Sequence, residues 1–264
     1  MQPRSLSRWR LLLAAPRSGA ENMARDTALL ARAARTGESV FSIYSWATPT
    51  LSFGRHQPAA GHYDPKKIRA AAVDVVRRPT GGRAILHHRE VTYSVTAPLD
   101  AQPLRVTYAR INRILLDGLS RLGVAAMIAV PAERAPAPSA RPCFELPSEG
   151  EVVAGGKKLV GSAQWRDESA LLQHGSILVE DDQASLPSFS IPDGAQTDET
   201  VPAPATLSAL MGRTPNPDEL AGVMFEAVKS LEDAEAMGIE EEEIREETLR
   251  HVPHFVDERW TWRR

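Results

Sequence analysis

Apolar and polar positions along the chain follow two different periods, and the switches between them mark out the elements. Residues 9–15 form a short apolar run that predicts a first strand. From 22 to 35, Met23, Leu29, Leu30 and Ala33 recur near helical spacing and predict a helix. Residues 40–46 and 50–54 are β-rich runs parted by Pro49, which predict two strands paired with each other. A strand over 73–78 should stop at Pro79, turn through Thr80-Gly81-Gly82-Arg83, and resume as extended chain at 84–87. Residues 91–95 alternate strictly, with Val91, Tyr93 and Val95 on one face and Thr92 and Ser94 on the other.

The strongest helical stripe runs over 105–122. Its apolar positions are Val106, Ile111, Leu115, Leu119 and Leu122, and Gly123 supplies the stop. A proline-rich loop covers 131–147. Residues 151–154 then turn through Gly155-Gly156 into 157–164, and a second turn leads into 171–180, which reads as consecutive hairpins. Residues 186–217 predict a long irregular connection. Asn216-Pro217-Asp218-Glu219 opens a helix with a cap, a first-turn proline and acids at the positive end. A last acidic helix is predicted over 239–250. There is no internal repeat, so the expectation is an α/β fold: one mixed-sheet domain spanning 1–264, with helices at its ends.

Composition narrows the class further. Apolar residues make up 42% and charged residues 25%, as in ordinary globular chains. A net charge of −3 offers no basic surplus for nucleic acid or an anionic membrane, and neither is expected as a partner. The leading run LLLAA is shorter than a signal-peptide core, and no stretch approaches the roughly 18 apolar residues of a membrane helix. One cysteine excludes an intrachain disulfide and any zinc site built on two or more cysteines. Together these features predict a cytoplasmic protein with no metal.

Three neighbourhoods carry candidate chemistry. In the first, Arg77 to Ala84, the glycines let the backbone approach a ligand, and their N–H groups can hold a carbonyl or anionic oxygen. By itself a Gly-Gly pair is more simply a hairpin turn, and no Gly-Lys-Ser/Thr follows to make a nucleotide loop. The second is Gly156 to Gln164. Strand alternation there places Lys158 on one face with Val160, Ser162 and Gln164, and Lys157 on the other. Small residues at Gly161, Ser162 and Ala163 leave room for a ligand, although paired lysines also guard ordinary edge strands. The third is Cys143, in Pro-Cys-Phe-Glu-Leu-Pro. Lone cysteines are commonly inert filler, but a thiol in a proline-punctuated loop is poorly placed for core filling. His251-x-x-His254 lies in an amphipathic tail and reads as a surface pair.

Taken in order, these motifs resemble the lipoate-protein ligase and octanoyltransferase family, whose fold is that of the biotin/lipoate protein ligase catalytic domain. Asn22-Met23-Ala24-x-Asp26 is similar to its first-helix signature, RRPTGGRAILHHREVTYSV (77–95) to its glycine turn, and GGKKLVGSAQ followed by LLQHGSI to its lysine hairpin. The resemblance covers about residues 10–262, with no accessory C-terminal domain expected. Thr27, where the family often has Glu, and His88-Arg89 depart from its pattern. The match is best to the octanoyltransferase branch that carries its cysteine upstream of the lysine hairpin. The branch with a cysteine three residues before the histidine of His174-Gly175 would need it at Leu171.

The resemblance implies a Cys143 acyl-thioester intermediate with Lys158 as its catalytic partner. It places Arg78, Thr80, Gly81, Gly82, Arg83, His87, Gly161, Ser162 and Gln164 at the substrate. It further implies octanoyl-acyl carrier protein as donor, lipoyl-domain proteins such as glycine cleavage H protein as acceptors, and no cofactor. The alternatives are an ATP-dependent lipoate ligase, a carrier-to-carrier amidotransferase and a catalytically silent lipoyl-domain binder.

Overall fold

The computed structural model describes residues 8–100, 102–129, 150–191 and 203–263. The first half runs β1 (Trp9–Leu13), α1 (Gly19–Thr36), β2 (Ser39–Tyr44), β3 (Thr50–Phe53), α2 (Pro65–Ala70), β4 (Asp74–Arg77), β5 (Ile85–His87) and β6 (Glu90–Pro98). There follow α3 (Leu104–Arg121), β7 (Met127–Ile128), β8 (Val152–Ala154), β9 (Lys157–Arg166) and β10 (Ala170–Leu178). After a 3-10 turn at Gln183–Phe189 come α4 (Leu207–Met211), α5 (Pro217–Leu231), β11 (Met237–Gly238), α6 (Arg245–Phe255) and α7 (Glu258–Thr261).

Eight strands form a mixed sheet in the order β11-β1-β2-β6-β10-β9-β8-β7. β1 is parallel to both its neighbours, and the remaining adjacent pairs are antiparallel. A smaller sheet, β4-β3-β5, stands apart. The two runs around Pro49 are therefore not partners, contrary to the sequence expectation. Every residue of β2 is buried, so it needs neighbours on both edges and takes β1 and β6. The chain then leaves through residues 45–49 to place β3 at the centre of the smaller sheet.

The alternation in β6 sets which helices cover which face. Val91, Tyr93 and Val95 join Ile111, Leu115 and Leu119 of α3 and Leu220, Met224 and Val228 of α5 in the main core. Burial of these side chains contributes about 1.5–3 kcal/mol each, which is why the stripe on α3 faces the sheet. Val106, counted in that stripe by its spacing, is instead 41% exposed, and the first fully buried position of the helix is Ile111. Helix α1 covers the opposite face, where β6 carries buried Thr92, Ser94 and Thr96. It starts three residues earlier than the apolar pattern indicates, because Ser18 and Glu21 form a reciprocal capping box. Gly37, in left-handed conformation, ends it. The predicted terminal helix is displaced towards the C-terminus: a 3-10 turn at Glu241–Ile244 leads into α6. There His251 pairs with Glu247, and His254 packs against the rings of Phe255 and Trp260.

Candidate active site

A narrow cleft with a volume of about 30 Å³ separates the two sheets. Its walls come from Met23 of α1, Trp46, Ser52, Arg78, Gly82, Ile85 and His87, with Tyr44 of β2 at the larger sheet. Thr92, Gly161–Ala163 and His174–Ser176 complete it from the larger sheet. Most of the lining is apolar or small.

The glycine turn is built by Arg78. Its guanidinium donates to the carbonyl oxygens of Gly81 (2.9 Å) and Arg83 (2.7 Å), and to the carbonyl and hydroxyl of Ser52. Gly82 sits at φ +92°, and a Cβ there would stand 2.8 Å from the Arg78 Nη2. A Cβ on Gly54 would meet the Gly82 carbonyl oxygen at 1.9 Å, so only glycine permits the smaller sheet to approach this turn. Beneath it lies Arg77, fully buried and surrounded by main-chain carbonyls: those of Gly54, Gln57 and Thr261 accept from it at 2.5–2.9 Å. Burial, with Arg263 and Arg78 nearby, pulls its pKa down to about 10, so it remains charged near neutrality.

Two buried histidine–carboxylate pairs flank the cleft. His87 stacks on Trp46 with ring centroids 4.0 Å apart. Its Nε2 lies 2.8 Å from Ser52 Oγ and its Nδ1 3.0 Å from Glu90 Oε1. The Glu90 carboxylate only accepts, so Nδ1–H donates to it, and in the neutral ring Nε2 accepts the Ser52 hydroxyl proton. Burial holds the His87 pKa below its ordinary value, with Glu90 opposing, and this favours that neutral form. In the second pair, His174 Nδ1 lies 2.8 Å from Asp26 Oδ2, and Tyr44 donates to the same oxygen at 2.9 Å. Burial and the adjacent Asp26 raise the Tyr44 pKa well above normal, so its hydroxyl stays a donor.

Lys158 is 3% exposed and its ammonium donates to Glu151 Oε1 at 2.7 Å, whereas Lys157 is exposed. The separation of the two lysines follows the expectation, but the face does not. A β-bulge shifts the register so that Val153 pairs with Lys158 and Val152 pairs with Val160. Adjacent residues on β8 point to opposite faces, so Lys158 does not share the face of Val160, Ser162 and Gln164. It falls on the face of Gly161, Ala163 and His174, the face on which α1 lies.

Of the residues assigned to substrate from the sequence, the cleft brings together Arg78, Gly82, His87, Gly161 and Ser162. Thr80 is fully buried and its hydroxyl meets His174. Gly81 and Arg83 enter through carbonyls that Arg78 holds. Gln164 donates to Gln173, which in turn donates to Tyr93 on the α3 side of the sheet. Cys143 lies outside the described residues. Tyr44, Trp46 and Ser52 had no signal in spacing, since their neighbours come from distant segments, whereas Glu151 meets Lys158 across one hairpin. Asp26 and His174 stood inside recognised motifs without a role.

The chain from residue 18 to 229 matches the family model of the lipoyl protein ligase A/B catalytic domain. The chain belongs to that family. Within it, Octanoyltransferase LipM of Kyrpidia tusciae is 46% identical over 188 residues, covering 67% of this chain and 68% of that protein. Octanoyltransferase LipM of Exiguobacterium sp. is 35% identical over 97% of this chain and 98% of its own length. Among solved structures, lipoate-protein ligase A bound with ATP superimposes with a TM-score of 0.76 at 19% identity, over 97% of this chain and 98% of the other. The bipartite lipoate protein ligase of Thermoplasma acidophilum gives 0.77 at 20% identity, over 97% and 96%. These structures share the fold of the family.

Proposed function

We propose that this protein is an octanoyltransferase that moves an octanoyl group from octanoyl-acyl carrier protein to the acceptor lysine of a lipoyl-domain protein, such as glycine cleavage H protein, in lipoate biosynthesis. The observation that carries this reading is the full-length similarity to an octanoyltransferase. Its setting would be the cytoplasm, where the acyl donor is made, and among the described residues no helix is long and apolar enough to cross a membrane.

In the proposed mechanism the Cys143 thiolate attacks the donor thioester carbonyl, the carrier thiol leaves with a proton, and a new thioester forms on the enzyme. The acceptor amine then attacks that thioester, the amide forms, and the Cys143 thiol is released. Exchanging one thioester for another needs no nucleotide, and amide formation is downhill. Lowering the thiol pKa from about 8.5 to about 7 would raise the thiolate fraction about 16-fold. The accompanying loss of nucleophilicity is about 5-fold, so tuning contributes only about 3-fold. With its ammonium shared by Glu151, Lys158 acts chiefly by stabilising the oxyanion, an effect of about 10²–10³. Arg78 and Gly82 line the cleft for the acyl group, and the small residues Gly161–Ala163 leave space for its chain.

The test is transfer from octanoyl-acyl carrier protein to apo-glycine cleavage H protein without ATP or magnesium. Withholding the acceptor should leave an octanoyl adduct on Cys143, visible by mass spectrometry, and Cys143→Ala should abolish adduct and transfer together. ATP-dependent ligation of free lipoate by the alanine variant would replace this reading with a ligase.

A further inference from the structure

The glycine turn connects β4 to β5 of the smaller sheet, while the opposite wall of the cleft is β10 of the larger one. Thr80 Oγ1 and His174 Nε2 lie 2.6 Å apart across that divide. Asp26 Oδ2 then ties His174 Nδ1 to helix α1 at 2.8 Å, so one imidazole joins three elements. Thr80 and Asp26 are fully buried and His174 is 5% exposed, so water does not compete for these bonds.

The arrangement carries a cost. Asp26 Oδ1 is buried without a hydrogen-bond partner, and an orphaned acceptor of this kind is destabilising. An apolar residue at position 26 would remove that penalty but leave the Tyr44 hydroxyl and His174 Nδ1–H buried without their acceptor. What the carboxylate does supply is orientation. By accepting from Nδ1–H it sets the ring so that, in the neutral form, Nε2 accepts the Thr80 hydroxyl proton.

We infer that Asp26 and His174 form a positioning dyad that fixes Thr80, and through it the glycine turn, at a set distance from β10 across the acyl cleft. The inference rests on the octanoyltransferase reading for what the turn binds. His174 acts through Thr80, and the pair holds the turn where its backbone meets the acyl carbonyl. A displacement of about 1 Å in such a group can lower a rate about 100-fold.

Thr80→Val keeps the shape of the side chain and removes only the bridge. Its kcat for octanoyl transfer should fall about 30- to 100-fold while KM for the donor changes less than about threefold, because the loss is one of alignment. Thr80→Ser should recover most of that rate. His174→Gln should give a similar loss, and the double variant no more than either single one, since both cut the same link. Hydrogen exchange over residues 78–83 reads the bridge without turnover and should accelerate in both single variants. Absence of transfer by the unaltered protein would count against the function alone, and exchange would still decide the bridge. Near-normal kcat in Thr80→Val, multiplicative losses in the double variant, or unchanged exchange would each overturn the dyad.

Discussion

Two adjacent glycines in one turn should respond oppositely to the same methyl group. At Gly82 the backbone has φ +92°, a region where an L-residue is disfavoured by about 1–2 kcal/mol. The new Cβ would also stand 2.8 Å from Arg78 Nη2. A long side chain ordinarily yields to such a contact. Here Arg78 is 3% exposed and its guanidinium is bound to the carbonyls of Gly81 and Arg83 and to Ser52, so moving it weakens charged hydrogen bonds worth about 1.5–3 kcal/mol each. Gly82→Ala should therefore cost about 2–4 kcal/mol and lower the melting temperature by about 5–10 °C. Gly81 has no positive φ, and a Cβ there would meet no atom within 4 Å, so Gly81→Ala should be neutral or stabilising by up to about 1 kcal/mol. Thermal melts followed by circular dichroism compare the two directly. The octanoyl-transfer assay should show a loss of about 100-fold for Gly82→Ala and more for Gly82→Val, which adds a branch at Cβ. Equal melting temperatures, or Gly81→Ala as the worse variant, would refute the account of Arg78 as the clamp on this turn.

Lys158→Ala should lower the transfer rate about 100-fold or more, against less than a few-fold for Lys157→Ala, because only Lys158 is buried and paired with Glu151; equal losses in side-by-side assays would refute Lys158 as the oxyanion-stabilising lysine. Stability should fall with acidification through His87, whose folded pKa is held below the ordinary 6.5 by burial. Above pH 6.5 both states carry a neutral ring; as pH drops towards the folded value the unfolded chain takes up the proton first, and the stability is lost across that interval. His87→Gln should flatten the melting-temperature profile below about pH 6.5, leaving the contribution of His254, whose pKa burial also depresses; an unaltered slope would mean that His87 is already protonated in the fold.

Local pattern determined much of this protein. The alternation of Val91, Tyr93 and Val95, the stripe of Ile111, Leu115 and Leu119, the Gly155-Gly156 hairpin and the Asn216 cap all form as the sequence predicts, because each depends on residues within a few positions. The glycine turn at Gly81-Gly82 and the hairpin that carries Lys158 were legible for the same reason: glycine conformational freedom is a local property. Tertiary structure alone decided the rest. Whether β2 pairs with β3 or with β1 and β6 depends on which edges remain to be filled when the whole sheet assembles. The face on which Lys158 lies turned on one extra residue in β9, which local alternation cannot reveal. The joining of Asp26, Thr80 and His174 depends on closure between helix α1 and the two sheets. Residues 148 positions apart meet there only because burial of distant apolar faces brings their elements together.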